Sequence, residues 1–220
     1  MPRSPRNNSI PQNASAADFL PGRRTLKALR EAARACRGCP LYAHATQTVF
    51  GAGDAHARLI LIGEQPGDRE DLEGKPFVGP AGQLLDRCLI EAGIDRGLVY
   101  VTNAVKHFKW EPRGKRRIHK KPSAREVAAC RPWFDAEVEA IHPALIVCLG
   151  ATAAQALLGR SFRVTQDRGK ILSAASLPPI LATIHPSSIL RAPDQQAREE
   201  ARTGFIDDLR AAAAFLRERK

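Results

Sequence analysis

Four short apolar runs separated by helical patterns constrain the fold of this chain more than any other feature. The runs cover residues 58–63, 98–105, 144–150 and 179–185. Each is apolar on both faces, which is typical of strands in a parallel sheet that helices cover on two sides. The pattern therefore predicts an α/β fold, a three-layer α/β/α sandwich around a central four-stranded parallel sheet.

Helical periodicity fills the segments between these runs. The predicted helices span residues 25–35, 80–92, 123–141, 151–158 and 194–217. Ser123 begins the third of them with Glu126 three residues later, which is the pattern of a capping box.

Length and composition favour one folded domain, which we assign to residues 25–220. Residues 1–24 are rich in Pro, Asn, Ser and Ala, and we expect them to form a disordered basic tail, with a transit peptide as the alternative. There is no apolar stretch of about 18 residues, so we expect no membrane span. Five cysteines are too few for a disulfide scaffold, which favours a reducing compartment, the cytoplasm.

Positive charge is concentrated in one segment. The formal net charge is +11, and residues 106–122 hold eight Lys or Arg side chains and one Glu. A basic loop on a nearly neutral body indicates a polyanion partner. Trp110, Phe108, His107 and His119 are interleaved with these charges, and such side chains stack on bases or take part in chemistry. A solvated loop that only maintains solubility is the alternative.

Polar and glycine-rich loops follow the predicted strands, where ligands of parallel sheets bind. Gly63 and Glu64 begin the loop after the first strand, and Phe77 lies farther along it. Asn103 lies near the end of the second strand and His185 follows the fourth. A core aromatic, a satisfied buried amide and a structural histidine are the respective alternatives for Phe77, Asn103 and His185.

A possible metal site begins with the C-x-x-C pair Cys36 and Cys39. Cys130 and His107 are the candidates for the remaining ligands, because Cys88 and Cys148 lie on apolar faces and fit the core. Spacing alone does not separate zinc from an iron–sulfur cluster.

The segment GEQPGDREDLEGKPFVGPAGQLLD resembles the first motif of the family 4 uracil-DNA glycosylases, and IHPSS resembles their second motif. CRGCPLY and AACRPW are similar to the cysteine segments that bind their [4Fe-4S] cluster. Two departures from the ordinary family, Gln65 and the basic insertion KRRIHK at residues 115–120, are typical of the UdgX subgroup.

This resemblance implies the uracil-DNA glycosylase fold and a [4Fe-4S] cluster bound by Cys36, Cys39, His107 and Cys130. Ordinary family members have cysteine where this chain has His107. The implied partner is uracil-containing DNA, single- or double-stranded, bound by a monomer.

The resemblance also implies roles in excision. Phe77 would stack on the flipped base, Asn103 would read its edge, and Gly63 would allow close approach of the backbone. His185 and loop N–H groups would stabilise the departing uracil. The resemblance also implies that Glu64 and Gln65 are catalytic residues. Lys115, Arg116 and Arg117 would hold phosphates.

The resemblance further implies that His119 attacks C1′ of the sugar and stays bonded to the DNA, so that the enzyme acts once. Two alternatives remain open. One is a glycosylase that uses water and turns over, and the other is a zinc-stabilised nucleic-acid-binding protein without catalysis.

Overall fold

A five-stranded sheet forms the centre of the computed structural model, which describes residues 14–174 and 176–219. The strand order is β2-β1-β5-β7-β6, and every neighbouring pair is parallel except β6 and β7. A separate antiparallel hairpin is formed by β3 and β4. The strands are β1 Leu59–Gly63, β2 Val99–Asn103, β3 Trp110–Arg113, β4 Arg116–His119, β5 Leu145–Leu149, β6 Ile171–Ala174 and β7 Leu177–Thr183.

Helices cover both faces of the sheet. They are α1 Leu26–Ala33, α2 Asp68–Glu73, α3 Pro80–Glu91, α4 Ala124–Ile141, α5 Ala151–Leu158, α6 Val164–Asp167, α7 Pro186–Leu190 and α8 Gln195–Glu218. Short 3-10 helices lie at Ala16–Phe19, Pro40–Ala43 and Arg96–Leu98. The side chains of Thr25, Ser123 and Asp194 cap α1, α4 and α8, and the predicted capping box between Ser123 and Glu126 is present.

Alternate residues of the buried strands face two different cores. In β1, Ile60 and Ile62 join one apolar cluster with residues of α1, α4 and α5, while Leu59 and Leu61 join a second with residues of α3 and α8. All residues of β1, β2 and β5 are buried, as strands covered on both faces must be. The predicted three-layer α/β/α sandwich is confirmed.

The sheet differs from the prediction in one strand. The four predicted strands correspond to the parallel strands β1, β2, β5 and β7, but the antiparallel edge strand β6 was not predicted. Its residues Ile171 and Ser173 are exposed, so it lacks the continuous apolar run that identifies the central strands. The hairpin was likewise predicted only as a basic loop.

The predicted tail is ordered in part. Residues 1–13 lie outside the described residues, whereas Ala16–Phe19 form a 3-10 helix that packs on α4 with Ala16 fully buried. The boundary predicted at residue 25 is therefore too late, because apolar packing on α4 begins upstream of α1. In the described part of the chain, no helix combines the length and hydropathy needed to cross a membrane.

Candidate active site

The carboxyl ends of the parallel strands place four polar side chains at one edge of the sheet. Glu64 follows β1, Asn103 ends β2, Thr152 lies in the first turn of α5 after β5, and His185 follows β7 as the N-cap of α7. Three of these residues were predicted from the sequence. Thr152 was not, because a threonine in a helix carries no local signal of a role.

Glu64 lies between two partners. Its Oε1 atom is 3.4 Å from Nε2 of His119, and its Oε2 atom accepts a hydrogen bond from the Thr152 hydroxyl. The His119 side chain is 50% exposed and the Glu64 side chain 22%. The carboxylate is thus held on one side, while the imidazole reaches it from a solvent-accessible loop.

The β3–β4 hairpin carries His119 to this position. His119 pairs with Trp110 at the open end of the hairpin. The Gln65 amide fastens that end: its Nε2 atom donates to the carbonyls of Lys109 and Lys120 at 3.2 and 3.1 Å, and its Oε1 atom accepts from the Lys109 N–H at 3.1 Å. In this structure the Gln65 amide is engaged by backbone groups of the hairpin, and its predicted catalytic role stays a prediction.

Arg117 anchors the hairpin to α2. Its guanidinium lies 2.6 Å from Asp68 and 2.6 Å from the fully buried Asp71. The same group lies 5.5 Å and 5.6 Å from the ring centroids of Phe108 and Trp110. The two carboxylates occupy the planar guanidinium of Arg117 in this structure, and its predicted phosphate contact stays a prediction.

Half of the Lys and Arg side chains of the basic segment, residues 106–122, form ion pairs within the protein. Besides Arg117, Lys106 pairs with Glu137, Lys109 with Glu126 and Lys120 with Glu111. Within the described residues, the remaining cations make no ion pair; they are exposed and comprise Arg113, Lys115, Arg116 and Lys121. The predicted contact of Lys115 and Arg116 with phosphates stays a prediction.

Asn103 and Phe77 both approach Gly63, the residue before Glu64, and we call the space between these side chains and His185 the recess. A Cβ on Gly63 would lie 2.4 Å from Asn103 Oδ1 and 2.9 Å from the Phe77 ring, so only glycine allows both side chains to approach there. Phe77 itself has φ of 56°, an unusual backbone conformation that is common at functional sites. The Asn103 amide forms no hydrogen bond to any described residue, which leaves its donor and acceptor available to a ligand.

His185 presents one defined face to this recess. Its Nδ1 atom accepts from the Ser187 N–H at 3.1 Å, so the neutral ring carries its proton on Nε2. Burial, together with smaller contributions from the nearby Arg191 and His119, lowers the pKa of His185 to about 4. Its ring centroid lies 6.3 Å from that of Phe77, with the planes at 29°. His185 is thus a neutral hydrogen-bond donor near neutral pH.

The first loop does not offer all its N–H groups to a ligand. The Glu70 carboxylate accepts from the N–H groups of Gly67 at 3.1 Å and Gly79 at 2.9 Å. Glu70 therefore fixes the loop that carries Phe77, and these two N–H groups do not serve the predicted oxyanion contact.

The four candidate cluster ligands are buried on the α1–α4 side of the sheet. The Trp133 indole N–H donates to Cys36 Sγ at 3.2 Å, and the Lys106 N–H donates to Cys130 Sγ at 3.2 Å. Burial raises the pKa of Cys39 to about 11 and that of Cys130 to about 12. Cys36, Cys39 and Cys130 belong to the same cluster of buried residues, so they lie in the same region.

His107 supports a ligand role by its chemistry. Its Nε2 atom is 2.9 Å from Thr48 Oγ1, while its buried Nδ1 atom finds no partner among the described residues. Burial lowers its pKa to about 4, so the ring is neutral, as a metal ligand must be. Three thiols and this unpaired nitrogen are donor types that a metal cluster uses. Among the described residues, however, no group of three or more His, Cys, Asp or Glu side chains is arranged to hold a metal ion.

A buried ion pair links this region to the recess, and sequence reasoning missed it. Lys106 Nζ lies 2.6 Å from Glu137 Oε2 and donates to the Asn103 carbonyl at 2.9 Å. Both side chains are fully buried. Buried charges are retained only when paired, so this pair fixes the end of β2 where Asn103 stands.

Comparison with known proteins gives a consistent picture. Residues 50–210 match the family model of the uracil DNA glycosylase superfamily. A type-4 uracil-DNA glycosylase of Thermotoga maritima is 35% identical over 194 residues, which cover 88% of this chain and 95% of the relative. A type-4 uracil-DNA glycosylase of Archaeoglobus fulgidus is 36% identical over 177 residues, covering 77% of this chain and 84% of that protein.

Proposed function

This chain belongs to the uracil-DNA glycosylase superfamily, and from that premise we propose that it excises uracil from DNA and then bonds to the abasic sugar through His119. The observation that carries the proposal is the 3.4 Å approach of His119 Nε2 to Glu64 Oε1 at the edge of the base recess. Gln65 and the insertion at residues 115–120 support assignment to the UdgX subgroup.

Recognition of uracil rests on Asn103 and Phe77. The target nucleotide must leave the helical stack, or be single-stranded already, before its base can enter the recess. The Asn103 amide then accepts from uracil N3–H and donates to O4, while Phe77 stacks on the ring. Cytosine presents the opposite pattern and would leave a nearly buried amide mispaired.

His185 assists departure of the base. Cleavage of the N-glycosidic bond gives its electron pair to uracil, and negative charge develops on O2. The Nε2–H of neutral His185 donates to that oxygen, a contact that strengthens as the charge develops. Because the pKa of His185 is lowered to about 4, this donor remains neutral over the physiological range.

His119 and Glu64 act on the sugar. The Glu64 carboxylate faces the positive charge that develops at C1′, and Thr152 fixes its orientation. The lone pair of neutral His119 forms the new C–N bond to C1′, uracil leaves as its anion, and the alkylated imidazolium faces Glu64 until Nδ1 loses its proton to solvent. Tethering gives the imidazole a high effective concentration relative to water.

A [4Fe-4S] cluster is the cofactor that we propose for Cys36, Cys39, His107 and Cys130. It would brace the segments that carry Asn103 and the hairpin, and we assign it no redox step. Zinc binds the same types of ligand, so the colour of the purified protein distinguishes zinc from an iron–sulfur cluster. A brown protein with visible absorbance supports iron and sulfur. We further propose that the protein is a monomer and that it works in the cytoplasm. The five cysteines form no disulfide, which supports a reducing compartment.

A turning-over glycosylase is the second candidate. The 50% exposure of the His119 side chain allows water to approach the same carbon. The two functions differ in stoichiometry. With uracil-containing oligonucleotide in large excess, covalent capture predicts about one uracil released per protein molecule, whereas repeated release with accumulating free abasic product would establish the second candidate. Release of no uracil at all would remove both.

A further inference from the structure

A groove between α4 and α5 opens next to the candidate active site. Its volume is about 460 Å³, within the roughly 300–1,000 Å³ range of clefts that bind small molecules. Thr152, whose hydroxyl holds Glu64, is also part of its wall. Lys121 lies on its rim, two residues beyond His119. The groove therefore continues directly from the place where the sugar reacts.

The walls of the groove combine an apolar floor with a cationic rim. Pro122, Val127 and Ala156 belong to the floor, and Lys121, Arg131 and Arg160 supply positive charge. Of the described residues that line the groove, none is acidic. An apolar surface below cations suits a sugar or base with its phosphate.

The three cations are not equivalent. Arg131 is held in place, since it lies 2.6 Å from Asp135 and donates to the Ala156 carbonyl at 2.9 Å. The side chains of Lys121 and Arg160 are exposed and form no ion pair with any described residue. Among the described residues, no carboxylate therefore neutralises these two cations at the rim of the groove.

We propose that this groove binds the nucleotide adjacent to the excised uracil nucleotide, with its phosphate held by Arg160 and Lys121; the proposal rests on the function proposed above. Arg160 belongs to neither the basic segment nor the base recess, and Lys121 lies at the end of the basic segment, outside the hairpin. The groove would add affinity for the strand on one side of the lesion and align the sugar with His119.

The test is binding of a fluorescent single-stranded oligonucleotide without uracil, measured by anisotropy. We expect Arg160→Glu to weaken binding about two- to fivefold, as loss of an exposed charged contact does. We expect Ala128→Phe, at an exposed position of the groove, to weaken binding similarly without any change in charge. Arg160→Ala should reduce the slope of log affinity against log salt by about 0.7.

Matched controls distinguish an effect of the groove from a general effect of the protein's charge or of an added ring. Arg87→Glu makes the same charge change on α3, in the opposite helical layer, and Ala55→Phe adds the same ring in an exposed turn before β1. Both controls should bind like the unmodified protein. The proposal is overturned if Arg160→Glu behaves like Arg87→Glu, or if Ala128→Phe binds normally.

The same samples are assayed for uracil release from a second oligonucleotide. If the unmodified protein releases no uracil, the proposed function is contradicted. The binding comparison still tests the groove, because it does not depend on excision. If uracil is released, its rate of release is measured on two series of oligonucleotides, one with nucleotides only on the 5′ side of uracil and one with nucleotides only on the 3′ side. We expect Arg160→Glu to lower the rate in one series and not in the other. An equal response in both series would overturn the adjacent-nucleotide assignment.

Discussion

Nε2 of His119 lies 3.4 Å from Oε1 of Glu64, although Glu64 follows a strand of the central sheet and His119 ends a strand of a separate hairpin. Their contact depends on the position of the hairpin. Gln65 forms hydrogen bonds with the backbone at its open end, and Arg117 forms ion pairs with two carboxylates of α2. The position of the proposed nucleophile is thus a tertiary property that residues outside the reaction maintain.

The orientation of Glu64 depends on Thr152. Thr152→Val removes the hydroxyl that donates to Glu64 while preserving shape, and we expect the rate of uracil excision to fall about tenfold, the effect of one hydrogen bond to a charged group. Glu64→Gln should slow excision more, since it removes the charge. Single-turnover kinetics measure both, and an unchanged rate in Glu64→Gln would remove this carboxylate from the mechanism.

The discrimination against cytosine depends on the Asn103 amide. Asn103→Asp replaces the N–H donor with an acceptor, so we expect the single-turnover rate of uracil excision to fall about a hundredfold. Release of uracil and of cytosine from matched oligonucleotides measures the effect. Full retention of both rate and selectivity would show that another group reads the base edge.

Arg117 holds the hairpin through two carboxylates. Arg117→Lys keeps the charge but loses the planar guanidinium that contacts both carboxylates. We therefore expect covalent capture to slow about a hundredfold, while the rate of uracil excision is largely kept. The control is Arg116→Lys at the neighbouring exposed position. Equal behaviour of the two variants in capture would argue against the anchoring role.

Stability should decrease as pH falls through the window between about 6.5 and about 4. His185 has an ordinary pKa near 6.5 when unfolded and about 4 when folded, so below pH 6.5 the unfolded chain binds a proton that the folded chain does not. Each pH unit then costs up to about 1.4 kcal/mol for this group. Urea unfolding at several pH values measures the slope, which His185→Gln should reduce; an identical slope in that variant contradicts the assignment.

The fold could be predicted because its central strands carry their own signal. Consecutive apolar residues such as Leu59–Gly63 are compatible with burial on both faces, and Ser123 with Glu126 marks a helix start locally. β6 lacks such a run because alternate residues of it, Ile171 and Ser173, are exposed to solvent, and the hairpin depends on Gln65 and Arg117 rather than on β-propensity.

The site could be predicted only where residue type and strand end coincide. Glu64, Asn103 and His185 follow this rule and lie together. Arg117 was assigned to phosphate because its sequence neighbours are cations, while its carboxylate partners lie in α2. Thr152 and the pair Lys106–Glu137 acquire their roles only through contacts across the fold.

Covalent capture by His119 is tested most directly on a denaturing gel. The protein is mixed with a uracil-containing oligonucleotide, boiled in SDS, and the shifted band is digested to locate the modified residue by mass. We predict a band that survives boiling and carries the sugar on His119, together with a His119→Ser variant that releases uracil without forming it. Free abasic oligonucleotide with no shifted band, or a sugar attached to another residue, would contradict the account.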